Sequence, residues 1–511
     1  MSFSISRRAV YAATASLLCL APVAGQADTA KNVMLFIADG SSWGTWDLAS
    51  YYEYGAKDSQ PYADWSVKMG MTTLPAYANS DVNYGKTYGA DPAWDDTPMT
   101  GSDTGIYGSD YPNYFAGYHY NRQGYTDSAA AATALSAGEK TINGRVNYDV
   151  DGNPMGFISQ DMKDAGKAVG VVSSVPFSHA TPAGFSAQNI SRNNYHEIAA
   201  QIIAEDTVDV AFGAGNPMYD DNGNIRPMDN PAYYFMGETE WNLVNSAASP
   251  MTLIQTKADF EAIADGTLDI EGRVLGLPQI NSTLQQARSG DVKAADGATP
   301  TGLAYNDNVP TLETMTKAAL NLLAGDDDGL FMMVEGGAVD WAAHANQTDR
   351  IIEEMVDFNH SITAAMDWVE ANSSWDETLM IVLTDHGNSM PMGMASDINA
   401  FDPIPNEGAG VVPQVRWHFD SHTTENTLMW TRGAGSDLIA NYVVGNDPYL
   451  TSILGFNGGD YFENQSIPAF MAAAAGLNAS VAPVPVPAGV WLLGSALVGV
   501  AGLRRRAKRA A

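Results

Sequence analysis

Four short, apolar, β-rich runs in this chain each lead into a residue that can bind a cation or a proton, and this recurrence restricts the fold more than any other feature. KNVMLFIA runs into Asp39, AVGVVSSV into His179 and Thr181, LFMMVE ends on Glu335, and TLMIVLT meets Asp385 and His386. Strands are predicted at 31–38, 168–175, 208–214, 330–335 and 378–385, separated by helix-like stretches such as 194–204 and 311–323. Apolar runs of this length alternating with helices predict an α/β fold, with a largely parallel central sheet and helices on both faces. In such sheets, sites form beyond the carboxyl ends of the strands. A single Asp or His there would read as a cap or a satisfied core residue. Four at corresponding ends read as one site.

The segment LFMMVEGGAVDWAAHANQTD adds a spacing argument. Residues i and i+4 share a helix face, so Asp340 and His344 can grip one cation, while Glu335 can serve another. Adjacent Asp385 and His386 repeat the pattern at a second strand end.

The 511 residues can bury a large core, and a 45% hydrophobic content is ordinary for a globular chain. Residues 1–27 carry Arg7 and Arg8, then an apolar stretch, then small residues near Ala27, which reads as an export signal. The one cysteine, Cys19, lies within it, and Leu18 before it argues against lipidation, so a mature chain would carry no disulfide. The other end runs VAPVPVP, an apolar span over 488–503, then RRRAKRAA. That span is shorter than the ~20 residues of an ordinary membrane helix, though flanking arginines permit insertion. The expected division is a signal at 1–27, a catalytic body at 28–480 and a C-terminal sorting or anchoring segment at 481–511. The tail resembles a PEP-CTERM sorting signal in its VPxPA form, which implies an exosortase-type processing partner; an unprocessed anchor is the alternative. The expected location is outside the cytosol, whether periplasmic, cell-surface or extracellular.

Without the seven basic residues of the two ends, 19 basic face 59 acidic residues, a formal charge of −40. Such a surface repels nucleic acid and anionic membranes. An anionic substrate would be repelled too, unless cations in the pocket receive it. Two stretches, 77–125 and 217–302, lack sustained periodicity and are expected to be long loops or irregular excursions.

A nucleophile candidate lies in GYTDSAAAATALSAGEK, where an Ala-rich helix starts at Asp127-Ser128. There the Ser128 hydroxyl would sit at the positive end of the helix dipole, where phosphate also binds. A plain N-cap is the alternative. No histidine is near in sequence to act as base, and a bound cation can hold the alkoxide instead.

In order along the chain, IADG, Asp127-Ser128-Ala129, ATPA at 180–183, VEG with Asp340 and His344, TDH at 384–386 and His422-Thr423 resemble the motifs of the alkaline phosphatase family, from about Lys31 to Gly433. The resemblance implies that Asp340, His344 and His422 bind a first Zn²⁺ and that Asp39, Asp385 and His386 bind a second. It implies a third site, for Mg²⁺, formed by Asp39, Thr181 and Glu335. Arg192, in TPAGFSAQNISRNN, stands where the family places its phosphate clamp, and a guanidinium fork favours a monoester over a diester. The implied reaction is two-step hydrolysis of a small phosphate monoester through a phosphoserine at Ser128. A homodimer is left open.

Departures from the family pattern are Ser41-Ser42-Trp43-Gly44 after the first Asp-Gly, His179, and Trp341. They put the loop under the second cation and the third site's metal in question. His418 is a rival to His422; His119, His196 and His360 read as structural or solvent-facing. Asp149–Gly152 and 326–328 could take Ca²⁺ but lack the EF-hand pattern and read as solvated loops. The alternatives in function are a phosphodiesterase of the same superfamily and an inactive surface scaffold. A sulfatase is disfavoured because no C/S-x-P-x-R context occurs.

Overall fold

The computed structural model describes residues 29–76, 124–289 and 299–477, apart from positions 397, 398, 400, 401, 448, 449, 452–454 and 457. The expected signal, the terminal segment 481–511, His119 and nearly all of the 77–125 stretch lie outside the described residues.

The core begins with β1 (Asn32–Ile37), followed by α1 (Trp43–Tyr54) and β2 (Val67–Thr72). Next come α2 (Ser128–Ala137), α3 (Ile158–Asp164), β3 (Ala168–Pro176), α4 (Ala180–Gly184), α5 (Tyr195–Ala204) and β4 (Val210–Ala214). The middle of the chain supplies α6 (Glu238–Val244), β5 (Thr252–Ile254), α7 (Lys257–Ala264), β6 (Val274–Gly276) and α8 (Leu312–Leu323). Then follow β7 (Leu330–Glu335), α9 (Ala338–His344), α10 (Thr348–Asn372), β8 (Thr378–Leu383) and β9 (Gly387–Asn388). The C-terminal part adds β10 (His422–Thr423), β11 (Thr427–Gly433), β12 (Val443–Asn446), β13 (Asp460–Glu463) and α11 (Ile467–Ala474).

Eleven strands form one sheet in the order β12-β13-β2-β11-β8-β1-β7-β3-β4-β6-β5, and β9 pairs with β10 separately. From β8 to β5 every pairing is parallel; β11 is antiparallel to both β8 and β2. This is the largely parallel α/β sheet that the apolar runs predict. Every residue of β1, β3, β7 and β8 is buried, as strands covered on both faces must be.

Alternation along the strands divides the core. Met34, Phe36, Met332, Val334, Met380 and Val382 face one layer with α1, α8 and α10, where Phe36 meets Phe358 edge-on at 6.4 Å. Val33, Leu35, Phe331, Met333, Leu379 and Ile381 face the other, with α2, α3, α5 and α11. Truncating Phe36 to Ala would empty the first layer at a cost of ~3–5 kcal/mol.

Two expectations need correction. The 217–302 stretch is not simply irregular: it holds α6 and α7, and β6 and β5 extend the sheet beyond β4. Each of these strands has three residues, too few to show an alternation. The strand expected over 378–385 stops at Leu383, because the Thr384 hydroxyl donates to the His386 carbonyl at 2.7 Å and turns the chain. Among the described residues no helix is long and apolar enough to cross a membrane.

Candidate active site and metal centre

Strands β8, β1, β7 and β3 are consecutive in the sheet, so their carboxyl ends bring Asp385 and His386, Asp39, Glu335, and His179 with Thr181 to one place. The turn after β1 is drawn tightly against this cluster. Gly40 has φ +71°, and a Cβ there would lie 2.7 Å from Asp340 Oδ1, so no larger residue fits. Its N–H donates to Asp385 Oδ1 at 3.2 Å, and Ser41 N–H to Thr384 Oγ1 at 2.9 Å. Ser42 both donates to the Asn388 carbonyl and accepts from the Asn388 N–H, each at 2.9 Å. The two serines that depart from the family pattern thus tie the β1 turn to the segment following β8.

Asp340 and His344, one turn apart on α9, meet His422 from β10. His344 Nε2 lies 3.0 Å from His422 Nε2, and each is 3.4 Å from an Asp340 oxygen. The outer nitrogens fix the rings. His344 Nδ1 donates to the Asp420 carbonyl at 2.7 Å, His422 Nδ1 to Thr126 at 2.7 Å, and His386 Nδ1 to Gly387 at 3.2 Å. A carbonyl can only accept, so all three rings carry their proton on Nδ1 and turn the Nε2 lone pair inward, the arrangement a ligating histidine needs. Burial opposes ionisation of Asp340, yet His344 and His422 hold its carboxyl below the usual carboxylate range. Burial likewise opposes charging of His422, but Asp340 raises it.

The second set lies beside the first. His386 stacks on His422 with ring centroids 3.7 Å apart, and its Nε2 is 3.4 Å from Asp39 Oδ1 and 3.3 Å from Asp385 Oδ2. Asp39, Asp340 and His386 offer ligand atoms within 4.8 Å of one another, as do Asp340, His344 and His422, so Asp340 stands between the two sets. Glu335 accepts from Ser173 through one oxygen and approaches Thr181. Both Asp39 oxygens, Asp385 Oδ2, Glu335 Oε1 and Thr181 Oγ1 are buried without hydrogen-bond partners. Burial first, then mutual repulsion, raises the Asp39 carboxyl, and burial raises Asp385 and Glu335. So many unsatisfied oxygens in one buried place fit cations, which would supply the missing partners.

Ser128 begins α2, with Asp127 as its cap: Asp127 Oδ1 accepts from the Ala130 N–H at 2.9 Å. The Ser128 hydroxyl is therefore free of capping and lies 3.3 Å from His386 Nε2. Asp127 Oδ2 accepts from the Gly144 N–H at 2.9 Å and from an Arg192 guanidinium nitrogen at 3.0 Å. The other guanidinium nitrogen donates to His179 Nε2 at 3.2 Å. Burial and the Arg192 charge depress His179 to about 3, so it is a neutral acceptor. Ser128, Arg192, His179, Asp340, Trp341, His344, His422 and Gln286 line one open cavity of about 410 Å³.

Every site residue singled out in the sequence thus lies in this cluster. His418 is not part of either ligand set: it is buried, and its Nε2 lies 2.7 Å from the Ser396 hydroxyl. His196 bonds to the Tyr233 carbonyl and His360 to Glu53. Asp149 is consumed by its own turn, accepting from the N–H groups of Asp151 and Asn153. Sequence reasoning missed Asn388, whose amide donates to Asp340 Oδ1 at 2.6 Å, and the roles of Asp127, Ser173 and Gln286. Asn388 stands two residues after His386, and that proximity was the only available signal.

The alkaline phosphatase family model matches residues 30–407, and the chain belongs to that family. Alkaline phosphatase 3 of Bacillus subtilis (strain 168) is 29% identical over 369 residues, which are 71% of this chain and 62% of that protein. The match thus spans less than two thirds of that relative. The structure of alkaline phosphatase from the Antarctic bacterium TAB5 has the same fold, with a TM-score of 0.56 at 20% identity, covering 88% of this chain and all of that one. A TAB5 variant described with Mg bound in its M3 site superposes with a TM-score of 0.54 at 19% identity, covering 89% of this chain and all of that one.

Proposed function

We propose that this chain hydrolyses phosphate monoesters by way of a phosphoserine at Ser128. The observation that carries the proposal is the Ser128 hydroxyl, uncapped and 3.3 Å from His386 Nε2, in the same cavity as the Arg192 fork. Asp340, His344 and His422, and Asp39, Asp385 and His386, are mixed nitrogen and oxygen sets that suit zinc. Asp39, Thr181 and Glu335 are an all-oxygen set that suits magnesium. When bound, these cations would neutralise the phosphate in a strongly acidic protein and acidify both the serine hydroxyl and the attacking water.

The chain's own groups account for the remainder. Arg192 donates two N–H bonds to phosphate oxygens, holding the phosphorus over Ser128, and Asp127 holds Arg192 from behind. Ser128 Oγ attacks in line, the ester P–O bond breaks, and the alcohol leaves. Water then attacks the phosphoserine, Ser128 Oγ departs, and inorganic phosphate is released. Asp127 takes the Ala130 N–H, and the positive end of the α2 dipole favours the phosphate beside Ser128. A diester would have to bury an extra substituent against Arg192 and Asp127.

The test is hydrolysis of p-nitrophenyl phosphate beside bis-p-nitrophenyl phosphate, by protein supplied with zinc and magnesium and by a Ser128→Ala variant. Strong monoester preference and loss of turnover in the variant support the proposal; preference for the diester refutes it. We also propose that the reaction takes place outside the cytosol, which rests on the signal-like residues 1–27 and the sorting-type tail. Cell fractionation with N-terminal sequencing checks the location.

A further inference from the structure

A second cavity of about 400 Å³ opens where the start of α8 meets α10, lined by Tyr305, Val309, Val356, Glu354, Asp357 and Lys257, among others. Most of its charges are matched. Glu353 is 2.8 Å from the Arg288 guanidinium and also accepts from the Thr301 hydroxyl at 2.6 Å. Asp357 accepts from the N–H groups of Leu312 and Glu313 at 2.8 and 3.3 Å. His360 pairs with Glu53 at 2.8 Å, and Lys257 donates to the Asp307 carbonyl at 3.2 Å, with Glu261 at 4.0 Å. Glu354 differs from its neighbours. Only 5% exposed, it makes no hydrogen bond or ion pair, and its Oε1 is fully enclosed. Burial, then the nearby Asp357 and Glu353, pushes its carboxyl up to about 8.

The Arg288 and Arg350 charges act on Glu354 without bonding to it and are outweighed by burial, Asp357 and Glu353, so ionising this carboxyl on the cavity wall calls for a cation from outside. A single metal ion does not suit the place. Calcium gathers six to eight oxygens at about 2.3–2.6 Å, so its ligands must crowd together. Among the described residues, the sets of three acidic or histidine ligand atoms within 4.8 Å of one another involve only Asp39, Asp340, His344, His386 and His422, all in the cluster at the strand ends. The second cavity is also far larger than an ion, and Val309, Val356 and Tyr305 give it apolar walls. A quaternary ammonium would want open aromatic faces, whereas the Tyr305 ring already carries the Arg288 guanidinium 4.7 Å from its centre.

We infer that this cavity is a binding site for a small organic cation, a primary ammonium on a short aliphatic chain, with the ammonium on Glu354 and the carbon chain along Val309, Val356 and Tyr305. The site is separate from the phosphatase centre and does not depend on it.

The experiment is isothermal titration calorimetry of the full-length, metal-supplied protein with putrescine, beside Glu354→Gln and the exposed control Asp327→Asn. Calcium chloride, a dication of the same charge, is titrated in parallel. Expected are one putrescine per chain, at least tenfold weaker binding in Glu354→Gln, and no change in Asp327→Asn. A thermal melt of Glu354→Gln at or above the wild-type midpoint shows that the variant is folded. No saturable heat with putrescine overturns the inference. So does equal binding by Glu354→Gln, which would mean general attraction to an acidic surface. Calcium binding that is lost in the same variant also overturns it, in favour of a divalent site.

Discussion

Stripping the cations should make the protein's stability fall with rising pH in a way that the loaded protein's does not. Asp39, Asp385 and Glu335 have raised carboxyls in the cation-free fold, and several of their oxygens have no partner. A carboxyl raised above its unfolded value keeps its proton in the folded state after the unfolded chain has released it. It therefore contributes stability that is complete below the unfolded value and is lost as pH rises toward the folded one. The ordinary values are 3.8 for Asp and 4.5 for Glu, so the loss begins at the lower of these and is under way for all three groups above the higher. The three groups repel one another, so one extra bound proton is the conservative count, and it costs ~1.4 kcal/mol per pH unit. Between pH 5.5 and 7.5 the cation-free protein should thus lose ~3 kcal/mol relative to the loaded form. With ~2–4 °C per kcal/mol for domains of 150–250 residues, and less for a longer chain, a midpoint difference widening by ~3–6 °C is expected. Differential scanning fluorimetry at matched pH values, with EDTA or with zinc and magnesium, measures it. Other buried acids, including Glu354 and Asp357, are common to both forms and cancel in the difference. Parallel curves would show that these carboxylates do not hold the cations, and the site would have to be reassigned.

Three further outcomes follow from particular contacts. Asp127→Ala removes the cap of α2 and the anchor of Arg192, and should lower stability by ~1–2 kcal/mol in chemical unfolding. Asp127→Asn retains a capping oxygen but loses the ion pair, so it should fold nearly as well while its inhibition constant for inorganic phosphate rises about tenfold, roughly 1.4 kcal/mol. Arg192→Ala should lower kcat/KM for a monoester by ~10²-fold, about 2.7 kcal/mol, with a much smaller effect on any residual diester turnover. Glu354→Gln should gain stability over the wild type by ~1.4 kcal/mol per pH unit from about pH 5 until the Glu354 carboxyl at about 8 has ionised, and no more beyond it, as read from urea midpoints.

What was legible in the chain follows from where burial is two-sided. Strands β1, β3, β7 and β8 are covered on both faces, so each appears as a largely apolar run, and polar residues at or shortly after its carboxyl end reach the site. Asp39, Thr181, Glu335 and Asp385 could be read for that reason. The edges of the sheet carry no such signal. VKMGMT in β2, VVGN in β12 and DYFE in β13 mix polarities, and β13 finds its place by pairing Tyr461 with Gly70, a partner nearly four hundred residues away. Strands β5 and β6 exist because β4 offers them an edge, and a Cβ on Gly276 would lie 2.4 Å from the Phe212 ring. None of these facts has a local sequence correlate.

The orientation of the site is held by parts of the chain that no motif names. His344, His422 and His386 could be recognised as candidate ligands, but what aims their Nε2 atoms is three backbone carbonyls, at Asp420, Thr126 and Gly387. A carbonyl has no side-chain identity, so substitutions at Asp420 or Thr126 could leave this support intact while a shift of their backbone would remove it. The Thr126 carbonyl also lies two residues before Ser128. The strut that turns His422 and the residue that caps the nucleophile's helix, Asp127, are thus neighbours in one short segment. Movement of that segment would disturb a ligand, the nucleophile and Arg192 together. Precision here depends more on the path of the backbone than on the list of ligands, which explains why the ligands could be read from the sequence and their geometry could not.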